Sequence, residues 1–116
     1  MARFLFRFGF CTPAQWSANE AHGWDDESSE AFFVESDSRE DALSWGCEVA
    51  ESFTRSLFES AGSGEIPSWA EADFAYWIEE DPEAVLSSQA LERIPIVRSG
   101  EMPTFSRWQG PPEGGA

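Results

Sequence analysis

The residue types best suited to chemistry are concentrated between His22 and Glu27. This stretch holds the single histidine of the chain, then Trp24 and the carboxylates Asp25, Asp26 and Glu27. A histidine among carboxylates could act as a general base, and the acids could bind a divalent cation. The structural alternative is a helix end, where a histidine interacts favourably with the helix dipole. No catalytic residue and no metal ligand are assigned on this pattern.

A second run of carboxylates comprises Glu79, Glu80, Asp81 and Glu83. Its spacing does not match a calcium-binding loop of the D-x-[DN]-x-[DN]-G-x5-E type. Acids at the ends of helices explain the run more simply, because Asp81-Pro82 is a typical helix cap followed by a first-turn proline.

Other catalytic signatures are missing from the sequence. Cys11 and Cys47 lie too far apart for a C-x-x-C pair, and one histidine with two separated thiols is too small a set for a structural zinc site. No G-x-S-x-G, G-x-G-x-x-G or G-x-x-x-x-G-K-[ST] pattern occurs. We therefore predict two buried thiols and no cofactor.

Tryptophan is unusually frequent, with six residues in 116. We expect Trp45 and Trp77 to lie in the core. Trp16, Trp24 and Trp108 fall where burial is less assured, and exposed aromatic rings can anchor an interface. Rings beside carboxylates also suit cationic groups, such as the arginines of a partner or a quaternary ammonium.

The charge balance excludes some classes of partner. Twenty-two acidic residues face seven arginines and no lysine, for a net charge of -15 and a pI near 4.1. Phosphate backbones and anionic lipid surfaces repel such a chain, so nucleic-acid and membrane binding are not expected. There is no signal-peptide pattern and no run of 18 apolar residues, and we predict a cytoplasmic protein.

The first half of the chain has clear periodic signals. Phenylalanines occupy the even positions from Phe4 to Phe10, which predicts a strand. The even-numbered side chains should face the core, and the opposite face should be partly exposed to solvent. Thr12 and Gly23 bound a short helix. A strand is predicted over 31–34, and Ser38 begins a long helix that runs to about Ala61.

Within the long helix an apolar stripe includes Gly46, whose presence predicts a close approach by another element. The side of the long helix opposite this stripe carries Glu51 and Arg55, and we expect it to face solvent. Ser68 and Glu71 match the pattern of a capping box, which predicts a helix that runs to about Asp81. The remaining predictions are a helix over 82–91, an edge strand containing Pro95, irregular chain over 103–108 held by Phe105 and Trp108, and a flexible tail.

Together these elements predict an α+β fold with a small, mainly three-stranded sheet covered by one long helix and two or three shorter helices. The domain is expected to span 1–109, with a Gly/Pro tail over 110–116. The sequence does not determine the oligomeric state.

The leading functional hypothesis is an acidic protein-binding module that binds a basic protein. In charge and size alone the chain resembles immunity proteins, antitoxins and nucleic-acid mimics, which would imply an inhibitor of a basic partner. The alternatives are a small-ligand or metal-dependent enzyme domain with a site near His22 and Asp25, and a self-associating structural module. The predicted partner-binding residues are Trp16, Trp24, Asp25, Asp26, Glu27, Glu79, Glu80 and Asp81.

Overall fold

The computed structural model describes residues 2–62, 64, 66–72, 74–89 and 94–105. The elements within these residues are β1 (Ala2–Phe10), α1 (Pro13–His22), β2 (Ser28–Ser36), α2 (Arg39–Ser60), β3 (Tyr76–Glu79), α3 (Pro82–Gln89) and β4 (Ile96–Arg98). The sheet order is β3-β1-β2-β4; β1 is antiparallel to both neighbours, and β2 is parallel to β4. The α+β class is confirmed, and the sheet contains one more strand, β3, than expected.

The alternation in β1 places its phenylalanines as predicted. Phe6, Phe8 and Phe10 are buried on the face that α2 covers. The opposite face differs in part from the expectation. Leu5 there is 1% exposed and pairs across the strands with Phe33, which is 3% exposed. The centre of this face is therefore covered, while Arg3 and Arg7 keep partial contact with solvent.

Local capping signals define both predicted helix starts. In α1 the Thr12 hydroxyl accepts from the Gln15 N–H at 3.1 Å, and the Gln15 side chain accepts from the Thr12 N–H at 3.0 Å. The helix ends at Gly23, whose φ of 69° favours glycine. The Ser38 hydroxyl accepts from the Asp41 N–H at 3.1 Å at the start of α2. These boundaries are set by neighbouring residues alone.

The centre of α2 lies directly on the sheet. A Cβ at Gly46 would overlap the Phe6 ring, so the glycine allows the close approach that the sequence predicted. The resulting core draws on β1, β2, α2, β3 and β4; its buried members are Phe6, Phe8, Phe10, Phe32, Val34, Ala42, Val49, Ala50, Phe53, Trp69, Ile78 and Val97.

The predicted helix over 68–81 is wrong. In the described part of this segment one turn forms, with the Ala72 N–H donating to the Ser68 carbonyl at 3.0 Å, and residues 76–79 form β3. Trp69 is 3% exposed, and its indole N–H donates to the Gly9 carbonyl at 2.8 Å. This anchoring, and the pairing of β3 with β1, outweigh the local capping signal because both bury apolar surface that a separate helix would leave exposed.

Two further expectations on this segment need correction. Trp77 is 44% exposed rather than part of the core, and Trp69 occupies the buried position instead. Glu51 does not belong to a solvated helix face, because its carboxylate accepts hydrogen bonds from the 68–70 turn.

The carboxyl-terminal expectations are met in part within the described residues. β4 is an edge strand, but it begins at Ile96, so Pro95 directly precedes the strand instead of lying within it. The Pro95 carbonyl accepts from the Phe33 N–H at 2.9 Å. Phe105 packs on Phe53 with ring centroids 5.7 Å apart. The end of the helix predicted to reach 91, Trp108 and the predicted 110–116 tail lie outside the described residues. No helix in the described part of the chain is long and apolar enough to span a membrane.

Candidate functional site

A cleft of about 610 Å³ opens between α1, the loop that follows it, and the residues Ala72, Phe74 and Ala75. It brings together five of the eight predicted partner-binding residues: two tryptophans and the three acids of the loop. We call Asp25, Asp26 and Glu27 the cleft acids. The lining residues are Cys11, Trp16, Asn19, Glu20, Trp24, Asp25, Asp26, Glu27, Ala72, Phe74 and Ala75.

The loop that carries the cleft acids is held through its backbone. The Asn19 side chain accepts from the Asp26 N–H at 3.0 Å and donates to the Asp26 carbonyl at 2.9 Å. The buried Cys11 thiol donates to the same carbonyl at 3.1 Å. Because these contacts satisfy main-chain groups, the three carboxylates are left exposed to solvent.

Two indole rings supply the aromatic part of the cleft. Trp16 is half-buried and meets Phe58 edge to face, with centroids 6.3 Å apart. Trp24 is 53% exposed and stacks on the His22 ring at 4.3 Å. His22 itself is exposed and is not among the cleft-lining residues. The imidazole therefore supports Trp24 from outside the cleft.

The opposite wall is formed by Ala72, Phe74 and Ala75, which follow a turn fixed by Glu51. The Glu51 carboxylate accepts from the Ser68 hydroxyl and the Trp69 N–H at 2.9 Å each, and from the Ala70 N–H at 3.4 Å. Burial alone would raise the pKa of Glu51, but the hydrogen bonds from this turn prevail and lower it. One ionised side chain of α2 thus positions the segment that leads into the wall.

The cleft carries negative charge that the described arginines do not neutralise. The ion pairs within the described residues join Arg3 and Arg98 to Glu35, Arg7 to Glu79, and Arg39 to Glu80. None of them includes a cleft acid. The pKa of Cys11 is raised, first by burial and then by the charges of Glu27, Asp25 and Asp26. The thiol at the base of the loop therefore lies in a negative potential.

The other three predicted partner-binding residues lie elsewhere, at the carboxyl end of β3, and we call them the strand-end acids. Glu80 pairs with Arg39 at 2.9 Å, and the Asp81 carboxylate accepts from the Glu83 N–H at 3.1 Å at the start of α3. Glu79 lies 3.1 Å from the Arg7 Nε, although the two groups are not aligned for a hydrogen bond. These acids have partners inside the molecule.

Sequence reasoning did not identify Cys11, Asn19 or the wall formed by Ala72, Phe74 and Ala75 as parts of the site. Asn19 had a weak signal, since a polar amide one turn before the helix-ending glycine can reach the following loop. Phe74 and Ala75 had none, because their position depends on the pairing of β3 with β1. In the part of the chain that the structure describes, no group of three histidine, cysteine or acidic side chains is placed to hold a metal.

Comparison with protein-family models, with curated proteins and with solved structures finds no match for this chain.

Proposed function

We propose that this chain is an acidic protein-binding module that holds a cationic segment of a basic partner protein in the cleft. The observation that carries the proposal is the combination of two indoles with four exposed carboxylates, those of Glu20 and the cleft acids, around one concavity. None of these carboxylates forms an ion pair with an arginine of the described residues. The volume of about 610 Å³ falls within the range of about 300–1,000 Å³ typical of ligand pockets.

Both the indole rings and the carboxylates of the cleft favour binding of a cation. An indole face attracts a guanidinium or ammonium group through its quadrupole, by about 0.5–2 kcal/mol depending on desolvation. The carboxylates add charge-assisted hydrogen bonds, and arginine can make two of them in parallel to one carboxylate. The net charge of -15 accelerates the encounter with a basic surface over a longer range.

The module would act as an inhibitor, of the immunity-protein type, if its partner uses the same basic surface for its own activity. A basic enzyme that binds an anionic substrate has such a surface. An acidic protein that covers this surface competes with the substrate through the same charges.

The test is capture of a partner from the native lysate on the tagged full-length chain, at low salt and near 0.5 M salt, with the retained proteins identified by mass. Asp25→Asn/Asp26→Asn/Glu27→Gln removes the charge of the cleft acids. Glu48→Gln/Glu59→Gln/Glu101→Gln is the matched control, because it removes the same charge from exposed acids that do not line the cleft.

We expect one basic protein to be retained stoichiometrically, to be weakened by salt, and to be lost with the cleft variant but not with the control. Equal loss with both variants would mean that net charge alone retains the partner. Retention of the partner by the cleft variant would refute the cleft as the binding site.

A further inference from the structure

β3 is an edge strand, and no strand among the described residues pairs with its outer side. It pairs with β1 on one side, and no other described strand lies beside it. The Gly9 N–H donates to the Ala75 carbonyl at 2.9 Å, which sets the phase of the pairing. Since backbone groups alternate in direction along an antiparallel strand, Trp77 and Glu79 also face β1. The N–H and C=O groups of Tyr76 and Ile78 therefore face outward.

The cleft and the strand-end acids lie at the two ends of this edge. Ala75 lines the cleft and directly precedes β3, whereas Glu80 and Asp81 directly follow it. Negative charge thus flanks both ends of a short row of backbone groups that have no strand partner in the described part of the chain. At about 3.3 Å per residue, the four residues of β3 span roughly 13 Å.

The two exposed aromatic side chains of β3 lie on opposite faces of the sheet, whereas Ile78 is 5% exposed. The Tyr76 ring lies over the sheet, stacked on Phe6 at 6.2 Å and tilted against Trp69 at 5.5 Å. Trp77 lies on the opposite face of the sheet, beside Arg7 and Ala31. Both aromatic residues remain almost half exposed, at 46% and 44%. They can cover the two faces of a strand added alongside β3.

We propose that the basic segment binds as an additional β-strand along the outer edge of β3, with cationic side chains at one end in the cleft and at the other beside the strand-end acids. This inference rests on the proposed function and specifies the form of the partner: an extended segment with basic residues at both ends. Main-chain hydrogen bonds to Tyr76 and Ile78 supply affinity, and the two acidic ends select the charge.

Charge complementarity favours such a partner over a second copy of this chain. Pairing β3 with β3 of another copy would bring the cleft acids and strand-end acids of two molecules together. Each molecule carries a net charge of -15, and like charges in close apposition oppose the contact. A basic segment carries the opposite charge, so the same acids attract it.

The test uses a synthetic peptide, acetylated and amidated, with two arginines at each end and Val-Thr-Val-Thr between them. Two further versions carry backbone N-methyl groups on one or the other alternate set of residues, which blocks hydrogen bonding in either register without changing charge. A version with glutamate in place of arginine controls for charge. Affinity is measured by calorimetry with the full chain, and amide hydrogen exchange is measured by NMR at Tyr76 and Ile78.

We expect the unmodified peptide to slow exchange at Tyr76 and Ile78, with Trp77 and Glu79 as internal references that already face β1. One N-methylated version should bind at least tenfold more weakly, and the glutamate version should not bind. Equal affinity of all arginine peptides, with unchanged exchange at both amides, would overturn strand addition. If the cleft variant still weakened binding in that case, the proposed function would stand.

Two other outcomes have separate meanings. Absence of binding by every arginine peptide at millimolar concentration would overturn the strand addition and the cationic cleft together. Protection of Tyr76 and Ile78 that rises with protein concentration in the absence of peptide, together with a dimer in sedimentation, would assign the edge to a second copy and overturn the proposal of a basic partner there.

Discussion

The cleft acids and the strand-end acids look alike in the sequence, as two runs of three carboxylates near helix ends, yet the fold uses them differently. Glu80 pairs with Arg39, and Asp81 caps α3. The cleft acids have no arginine partner among the described residues, and Asn19 holds their loop by its backbone alone. An acidic run is thus most available to a partner where the tertiary structure satisfies the backbone and leaves the carboxylates without an arginine partner.

Substitutions in the two groups of acids should differ most in their effect on affinity for a basic partner. Asp25→Asn/Asp26→Asn/Glu27→Gln should weaken binding of the arginine peptide at least tenfold, because it removes the charges beside Trp16 and Trp24. Glu79→Gln/Glu80→Gln/Asp81→Asn should weaken it by about threefold or less, since Arg7 and Arg39 already offset part of that charge. Calorimetry at two salt concentrations measures both. A larger effect of the strand-end variant would reverse the comparison.

Glu51 provides a third acid, one that the fold uses entirely inside the molecule. Glu51→Ala should lower the free energy of unfolding by about 2 kcal/mol, because the Trp69 and Ala70 N–H groups lose a charged acceptor. Chemical denaturation measures the change, and Glu48→Gln, an exposed acid on the same helix, is the control. A loss no greater than that of the control would show that the 68–70 turn does not need the carboxylate.

The same carboxylate should make stability depend on pH. Because the folded-state pKa of Glu51 is lowered, its contribution is complete above the ordinary glutamate pKa and is lost as the pH falls through the lowered value. Glu51→Gln should therefore flatten the fall in Tm on acidification relative to the unsubstituted chain. Parallel acid profiles for the two proteins would contradict this role.

The two acidic groups should rank in the opposite order when the measured quantity is folding stability instead of affinity for a partner. The strand-end variant should lose about 1 kcal/mol, from two partly exposed ion pairs, because the asparagine introduced by Asp81→Asn can still cap α3. The cleft variant should be unchanged or slightly more stable, since it relieves repulsion among neighbouring carboxylates. Urea denaturation of both variants tests the pair, and a destabilised cleft variant would mean that its carboxylates have a structural role.

The smallest expected effect is on the titration of Cys11. Burial and the cleft acids together raise its pKa, so the cleft variant should lower that pKa towards its ordinary value without reaching it. The strand-end variant should leave it unchanged. The pH dependence of thiol alkylation, measured in a Cys47→Ser background, reports Cys11 alone. Identical profiles in the two variants would indicate that the cleft acids do not act on this thiol.

Much of the fold is determined by short-range signals in the sequence. Alternating phenylalanines identify β1, Thr12 and Gly23 bound α1, and Ser38 begins α2; the structure confirms each of them. Gly46 predicts a close contact, and the Phe6 ring provides it. These features are readable because each depends on residues within about one turn, or on strand alternation.

Only the tertiary structure decided the rest. Ser68 and Glu71 match the capping-box pattern of a helix start. Burial of Trp69, the contacts of Glu51 and the pairing of β3 with β1 instead produce a turn and a strand. That change creates both the wall of the cleft and the outer edge of β3. The roles of the two acidic runs follow from it, because the partners of a carboxylate are set by residues distant in sequence and near in space, which local pattern cannot specify.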